Sequence, residues 1–273
     1  MAINKLNILH IIADYTPGDL AVAEIISAIA HDLPEQWQWH FTSTQSFDTL
    51  GTGFCVGQIA LHEEPLRAQK TMIYANCAPR LDQGVEKRKD NEGEGLFLGV
   101  LKNGIRIVAV NSRYSLSFIR DELAELWRVE VPRSGSQFRS RDSFPPIVGQ
   151  VARGDLSFPR TRLSNPMEVI PEAPKGVIAY RDSFGNMKTT YRSGDKELAE
   201  LKEGQEIYLE IGNKQHPAIV ATGSFHVRQG YIAFAPGSSG HRNRFWEIFK
   251  RGDSAWKAFG QPNTGVPVKM FRI

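Results

Sequence analysis

The chain has 273 residues, 41% hydrophobic and 23% charged, with a net charge of +3. That is ordinary for a soluble globular protein of one large or two modest domains, and too weakly basic to argue for nucleic acid on charge alone. Two cysteines, Cys55 and Cys77, without CxxC spacing, exclude a disulfide framework and speak against a cysteine zinc site. The N-terminal apolar run, broken by His10 and ended by Asp14, is too short to span a bilayer and carries no cleavage region, so a cytoplasmic protein is expected.

Along the chain, Leu6 to Ala13 reads as a buried strand, DYTPGD as a loop, and the alanine-rich stretch Leu20 to His31 as an amphipathic helix. Strand, loop, helix opens a parallel α/β sheet, whose ligands sit at the carboxyl ends of the strands. Gln38 to Thr42, Cys55 to Leu61, Lys70 to Asn76 and Ile105 to Asn111 read as further strands, and Ser115 to Glu125 as a helix. The charged stretch Gln83 to Glu94 reads as an exposed loop, and the proline-containing segment between Gly154 and Lys175 as a linker.

Beyond the linker the pattern turns to short β-rich segments separated by turn signals: Gly176 to Tyr180, Met187 to Tyr191, Glu206 to Ile211, Ala218 to Thr222, Tyr231 to Ala235 and Val266 to Phe271. The expected architecture is an N-terminal α/β domain with a mainly parallel sheet (1–155), a linker (156–174) and a smaller C-terminal antiparallel β-barrel domain (175–273).

Singly, the polar motifs have bland readings. Asp14 and Asp19 fit a helix cap, and Asp182-Ser-Phe-Gly-Asn186 fits a hairpin turn whose Gly-Asn step supplies positive φ. Their order is more telling. Asp14-Tyr-Thr-Pro-Gly-Asp19-Leu-Ala-Val22-Ala23 is followed by Phe47-Asp48, then by Phe138-Arg-Ser-Arg141-Asp142 with Phe144 and Pro146. Later come Asp182-Ser-Phe184-Gly185-Asn186-Met-Lys-Thr189, Gly237-Ser-Ser-Gly240, Phe245-Trp-Glu247-Ile248 and Gly252-Asp-Ser254-Ala255, with HRNR inserted after Gly240. Over nearly its whole length the chain resembles the S-adenosylmethionine hydroxide adenosyltransferases and their fluorinase and chlorinase relatives.

The resemblance implies a site between the two domains. Asp14 would hold the ribose diol, with Phe47 lining the ribose. Asp19 and Asp182 would face the ammonium of the methionine end, while Ser238 and Ser239, with Arg242, would face its carboxylate. Phe184 and Asn186 would meet the adenine. Hydroxide-using members carry an Asp, Arg and His set that activates water. Here Ala75 or Asn76 stands at the acid, Arg139 falls on the histidine, and Arg80 is the candidate arginine. Arginine stays protonated and cannot serve as a base near neutral pH. Ser140 falls where fluoride-using relatives contact the halide, so Ser140 and Arg139 are the candidate catalytic pair, for water or a small anion as nucleophile.

The implied ligand is a nucleoside, S-adenosylmethionine or adenosine, with no metal or cofactor needed for the displacement. A homotrimer with sites at subunit contacts is the family expectation. An S-adenosylmethionine or adenosine binder that has lost the chemistry is the second reading. A third, a single-strand nucleic-acid module on HRNRFWEIFKRGDSAWKAF, is disfavoured because the spacing of Phe245, Ile248 and Phe249 points them at a core.

Overall fold

The structure, a computed structural model, describes residues 6–80, 94–132, 136–223 and 226–272. It is a mixed α/β chain with two seven-stranded sheets, divided into two compact units, Met1–Glu172 and Ala173–Ile273. Most of the stretch expected as an exposed loop, residues 83–93, lies outside the described residues.

In the first unit the chain runs through β1 (Asn7–Ala13), α1 (Leu20–Asp32), β2 (Trp37–Ser43), α2 (Thr49–His62), the short α3 (Pro65–Ala68), β3 (Thr71–Asn76), β4 (Leu96–Leu101) and β5 (Arg106–Val110). A 3-10 turn (Ser117–Glu122), β6 (Leu123–Val129), the single turn α4 (Arg139–Asp142), α5 (Phe144–Arg153) and β7 (Arg160–Arg162) complete it. The sheet order is β2-β1-β3-β5-β4-β6-β7. β2, β1, β3 and β5 are parallel, and β4, β6 and β7 extend the sheet in antiparallel fashion. Only half the sheet is therefore of the expected parallel kind. β7 lies inside the stretch read as linker.

Two elements differ from expectation. The stretch Cys55 to Leu61, expected as a strand, belongs to helix α2. Ten of this helix's fourteen residues are buried, so no amphipathic period shows. Its glycines let it lie close on the following segment: a Cβ at Gly53 would stand 2.2 Å from the Tyr114 carbonyl oxygen, and one at Gly57 2.8 Å from Phe118 Cβ. The stretch Ser115 to Glu125, expected as a helix, is the 3-10 turn followed by β6. There Leu123, Leu126 and Val129 are buried at helix-like intervals: an extra residue of β6, Ala124, breaks the ladder against Val100/Leu101, and Leu126 and Val129, an odd number of residues apart, lie on opposite faces of the sheet.

The second unit contains β8 (Ile178–Arg181), β9 (Met187–Arg192), β10 (Glu206–Ile211), β11 (Lys214–Val220), β12 (Ile232–Pro236), β13 (Phe245–Lys250), the single turn α6 (Ala255–Ala258) and β14 (Val268–Arg272). Its order is β14-β10-β11-β12-β13-β9-β8, antiparallel except for β11 beside β12. The sheet is a curled half-barrel. The segments at its two ends meet at a Val177–Pro267 bridge, supported by Val268 N–H donating to Gly176 O at 2.8 Å. Phe234 and Trp246 pack at 4.7 Å between ring centroids in its core, with Ile207, Leu209, Ile248 and Phe259. Phe245, Ile248 and Phe249 are buried, which takes those side chains away from any nucleic-acid surface. No helix among the described residues is long and apolar enough to cross a membrane.

Candidate functional site

Parallel pairing sets the first cluster. β1 faces β2 with Ala13 opposite Ser43 and faces β3 with Ala13 opposite Asn76. The residues that follow thus emerge side by side at the carboxyl ends of three strands. Asp14 is first among them. Its Oδ2 accepts the Phe47 N–H at 2.9 Å and the Cys77 thiol at 3.6 Å. Burial raises the Asp14 carboxyl pKa, and the bonds from the Phe47 N–H and the Cys77 thiol oppose the rise. Burial and the Asp14 charge push the Cys77 thiol far up, so it serves Asp14 as a protonated donor and not as a thiolate.

Phe47 reaches Asp14 through its backbone. It sits at φ 64°, a conformation a bulky residue adopts only where its surroundings hold it, and its ring is exposed. The neighbouring Asp48 caps α2, accepting from Gly51 N–H at 2.8 Å. Asp19 does what the simple reading assigns it: it caps α1, accepting from Ala21 N–H at 3.0 Å, in an exposed position.

Behind Asp14 lies a polar set that sequence reasoning largely missed. Tyr15 follows Asp14, while Tyr74 and Asn76 come from β3 and Ser140 from α4. Tyr74, Asn76 and Ser140 are buried. Ser140 is therefore no surface loop residue, whereas Arg139 is half-buried. The Ser140 side chain reaches towards both tyrosine hydroxyls and Asn76 towards that of Tyr15. Even so, Tyr74 Oη and Asn76 Nδ2 lack a full hydrogen-bond partner. Burial raises the pKa of both tyrosines, which keeps them as neutral hydroxyls.

The α4 turn is braced by Arg141, which donates to Glu24 at 2.9 Å and to Asp142 at 2.6 Å, and by the edge-on contact of Phe138 with Tyr15 at 6.3 Å. The residual signal in the sequence was the Tyr-x-Asn step closing an otherwise apolar strand. Buried polar groups of this kind cost about 1–3 kcal/mol each when unpaired. Such a cost is commonly tolerated where a ligand or water completes the bonds.

The second cluster belongs to the second unit. Asp182 organises the Phe-Gly-Asn turn: Oδ1 accepts from Phe184 N–H at 3.0 Å and Asn186 N–H at 2.9 Å, and Oδ2 accepts from the Asn186 side-chain amide at 2.9 Å. Much of its accepting capacity is spent inside the turn. Phe184 stands 80% exposed at the tip, where a ring can stack on a flat ligand. Gly185 has φ 83°, and a Cβ there would lie 2.0 Å from Ser254 Oγ, so the turn admits only glycine.

Beneath the turn, Lys188 stands 3.7 Å from Asp182 and is paired with Glu247, its register partner on β13. Lys188 was not singled out from sequence. Ser239 is buried, its carbonyl accepting from Phe245 N–H at 2.9 Å, and Ser238 is exposed. In the HRNR insertion, the Asn243 side-chain oxygen accepts from Gly194 N–H at 3.2 Å, in the turn that follows β9. Among the described residues no group of three or more His, Cys, Asp or Glu could hold a metal ion.

No protein-family model matches the chain, and no curated protein matches it. Among solved structures, an uncharacterized conserved protein from Thermotoga maritima is similar at a TM-score of 0.73 and 19% identity, over 97% of this chain and all of that one. A conserved hypothetical protein from Thermus thermophilus gives a TM-score of 0.64 and 17% identity over the same shares. These likenesses show the fold.

Proposed function

We propose that the chain cleaves S-adenosylmethionine by nucleophilic substitution at the ribose 5′ carbon, releasing methionine and adenosine or a 5′-substituted adenosine. The observation that carries this reading is the partly desolvated Asp14 carboxylate at the carboxyl ends of β1 and β3, beside the half-buried Tyr15 and the buried Tyr74, Asn76 and Ser140. A carboxylate can accept from both hydroxyls of a ribose diol. That would fix the 5′ carbon beside the polar set, in line for attack. The nucleophile bonds to carbon while the carbon–sulfur bond breaks, and its electron pair neutralises the sulfonium as methionine leaves. Tyr, Ser and Asn donors suit a small anion, which needs no base. For water, the proton must be lost, and Asp14 is the carboxylate in this cluster.

The other roles follow the resemblance: Phe47 beside the ribose, Phe184 and Asn186 on the adenine, Asp19, Asp182, Ser238 and Ser239 on the methionine end, and Arg139 favouring an anion near Ser140. Asp14 and Asn186 support this reading most strongly. Asp19 and Asp182 support it least, because each is occupied by its own turn or cap. The finer layout, an α/β domain with a smaller C-terminal β-barrel domain in a cytoplasmic homotrimer, belongs to the same proposal.

A second reading, a binder of S-adenosylmethionine or adenosine without turnover, is favoured by one observation: Ala75 or Asn76, and Arg139, stand where a water-activating acid and histidine would be needed. Incubation with S-adenosylmethionine in water, chloride or fluoride, followed by chromatography, separates the two. Methionine release with a nucleoside product supports the enzyme. Binding without release, at any of the three nucleophiles, supports the binder.

A further inference from the structure

At the end of the first unit's sheet opposite to Asp14 lies a cavity of about 300 Å³, lined by Trp37, Gln69, Thr71, Met72, Gly104 and Arg106. We propose, independently of the adenosyl reading, that this cavity binds a small aromatic carboxylic acid, with the carboxylate on Arg106 and the ring against Trp37 and Met72.

Trp37, Thr71 and Arg106 are the first residues of β2, β3 and β5. At the rise of an extended strand, the length of β3 separates them from Asn76 and the Asp14 cluster by roughly 15–20 Å. Parallel register sets Leu9 between Trp39 and Met72, and Met72 opposite Arg106. Alternation puts Trp37 on the same face as Trp39, so Trp37, Met72 and Arg106 share one side of the sheet. That side is the one covered by α1 and α5: Met72 belongs to the core with Ile29 and Val151, and Trp37 packs against it.

Arg106 is anchored at one nitrogen, which donates to the Val151 carbonyl of α5 at 2.9 Å. A guanidinium has five N–H donors in a fork that matches a carboxylate, and among the described residues no acidic side chain lines the cavity. Gln69 adds a neutral amide at the mouth, where it, Gly104 and Arg106 are exposed. Thr71 is already engaged, its hydroxyl donating to the Arg67 carbonyl at 3.0 Å. Deeper in, the wall is apolar: Met72 is buried, and the half-buried Trp37 contributes its indole. The Trp37 N–H is buried without a hydrogen-bond partner, a state commonly tolerated where a ligand or water completes the bond. A cation at the mouth, an aromatic and a thioether beneath it, and a volume at the small end of ligand sites describe an acid with a flat apolar body. An inorganic anion would leave Trp37 and Met72 uncovered, and a neutral aromatic would leave Arg106 without its counter-charge.

The test titrates benzoate, phenylacetate, acetate and benzamide into the isotope-labelled full chain and follows the Trp37 indole N–H resonance, assigned by its loss in Trp37→Phe. At least one of the two aromatic acids is expected to shift that resonance saturably, with a dissociation constant of about 1 mM or tighter. Benzamide, which lacks the charge, and acetate, which lacks the ring, are each expected to bind about tenfold or more weakly. Arg106→Gln, checked for an intact melting transition, is expected to lose about tenfold or more in affinity for the acid. Asp14→Asn, at the far end of the sheet, is expected to stay within about threefold of wild type. No saturable shift with either aromatic acid, or equal affinity for benzamide or acetate, would overturn the inference. So would a loss in Asp14→Asn as large as that in Arg106→Gln, which would place the acids in the other cluster. Should Arg106→Gln fail to fold, the ratios among benzoate, benzamide and acetate in wild type decide alone.

Discussion

Replacing Asp14 by asparagine changes one atom type at the centre of the first cluster and leaves its shape. In the folded chain the carboxylate already accepts the Phe47 N–H at 2.9 Å, and the proposed ligand adds two ribose hydroxyls. Hydrogen bonds to a charged acceptor contribute about 1.5–3 kcal/mol each. The amide keeps a single acceptor atom, which must serve either Phe47 or one hydroxyl. The loss therefore falls near the sum of one charged bond and the charge on the other, about 3 kcal/mol, or roughly a hundredfold in affinity for adenosine. The fold should tolerate the change, because burial disfavours the charge that is removed. Calorimetric titration of adenosine into Asp14→Asn, with a melting curve beside it, is the assay. An affinity within threefold of wild type, in a protein that melts normally, would refute the assignment of Asp14 to the ribose.

Three further outcomes follow from the same geometry. Because the Asp14 carboxyl pKa is raised by burial, the folded chain holds a proton there that the unfolded chain has already released. From this group stability falls as pH rises from the ordinary carboxylate value through the raised one. Adenosine binding, which needs the ionised form, should strengthen over that same window, and a pH series of titrations that is flat in wild type would contradict it. Ser140→Ala should slow methionine release by about 10-fold or more while leaving adenosine affinity within threefold, as removal of a donor acting in the transition state does; matched losses in both would place Ser140 elsewhere. Gly53→Ala should cost about 1–3 kcal/mol, since its Cβ would stand 2.2 Å from the Tyr114 carbonyl oxygen, and an unchanged urea midpoint would show that α2 does not pack there.

Local order was readable where periodicity and punctuation agree. The unit β1, loop, α1 shows as an apolar run, a Pro-Gly loop and an alanine-rich period, and Asp19 caps the helix as an aspartate at that position should. The strand expected at Glu206–Ile211 is β10, an alternating segment with turn residues on either side. α2 escaped because a helix buried nearly all round has no polar face to betray its period. β6 escaped because a bulge at its own Ala124 and burial on both faces give its buried residues a helix-like spacing.

The site was partly legible for a related reason. Asp14, Phe47 and the Asp182 to Asn186 turn lie in short loops whose residues stand out by type. Tyr74 and Asn76 sit in a strand where only the register of β1 against β3 brings them beside Asp14. Lys188 meets Glu247 across two strands 59 positions apart, through a pairing interrupted by a bulge, and no local pattern encodes that. Ser140 drew attention by its place in a motif, but its burial against two tyrosines is a tertiary fact.

The most direct measurement is a crystal structure of the chain grown with S-adenosylmethionine. The account requires density for a nucleoside whose 2′ and 3′ hydroxyls lie within hydrogen-bond distance of the Asp14 carboxylate, with the 5′ carbon on the side of Ser140 and Tyr74. A nucleoside bound with its diol elsewhere, or a saturating soak that leaves Asp14 without ligand, would contradict it.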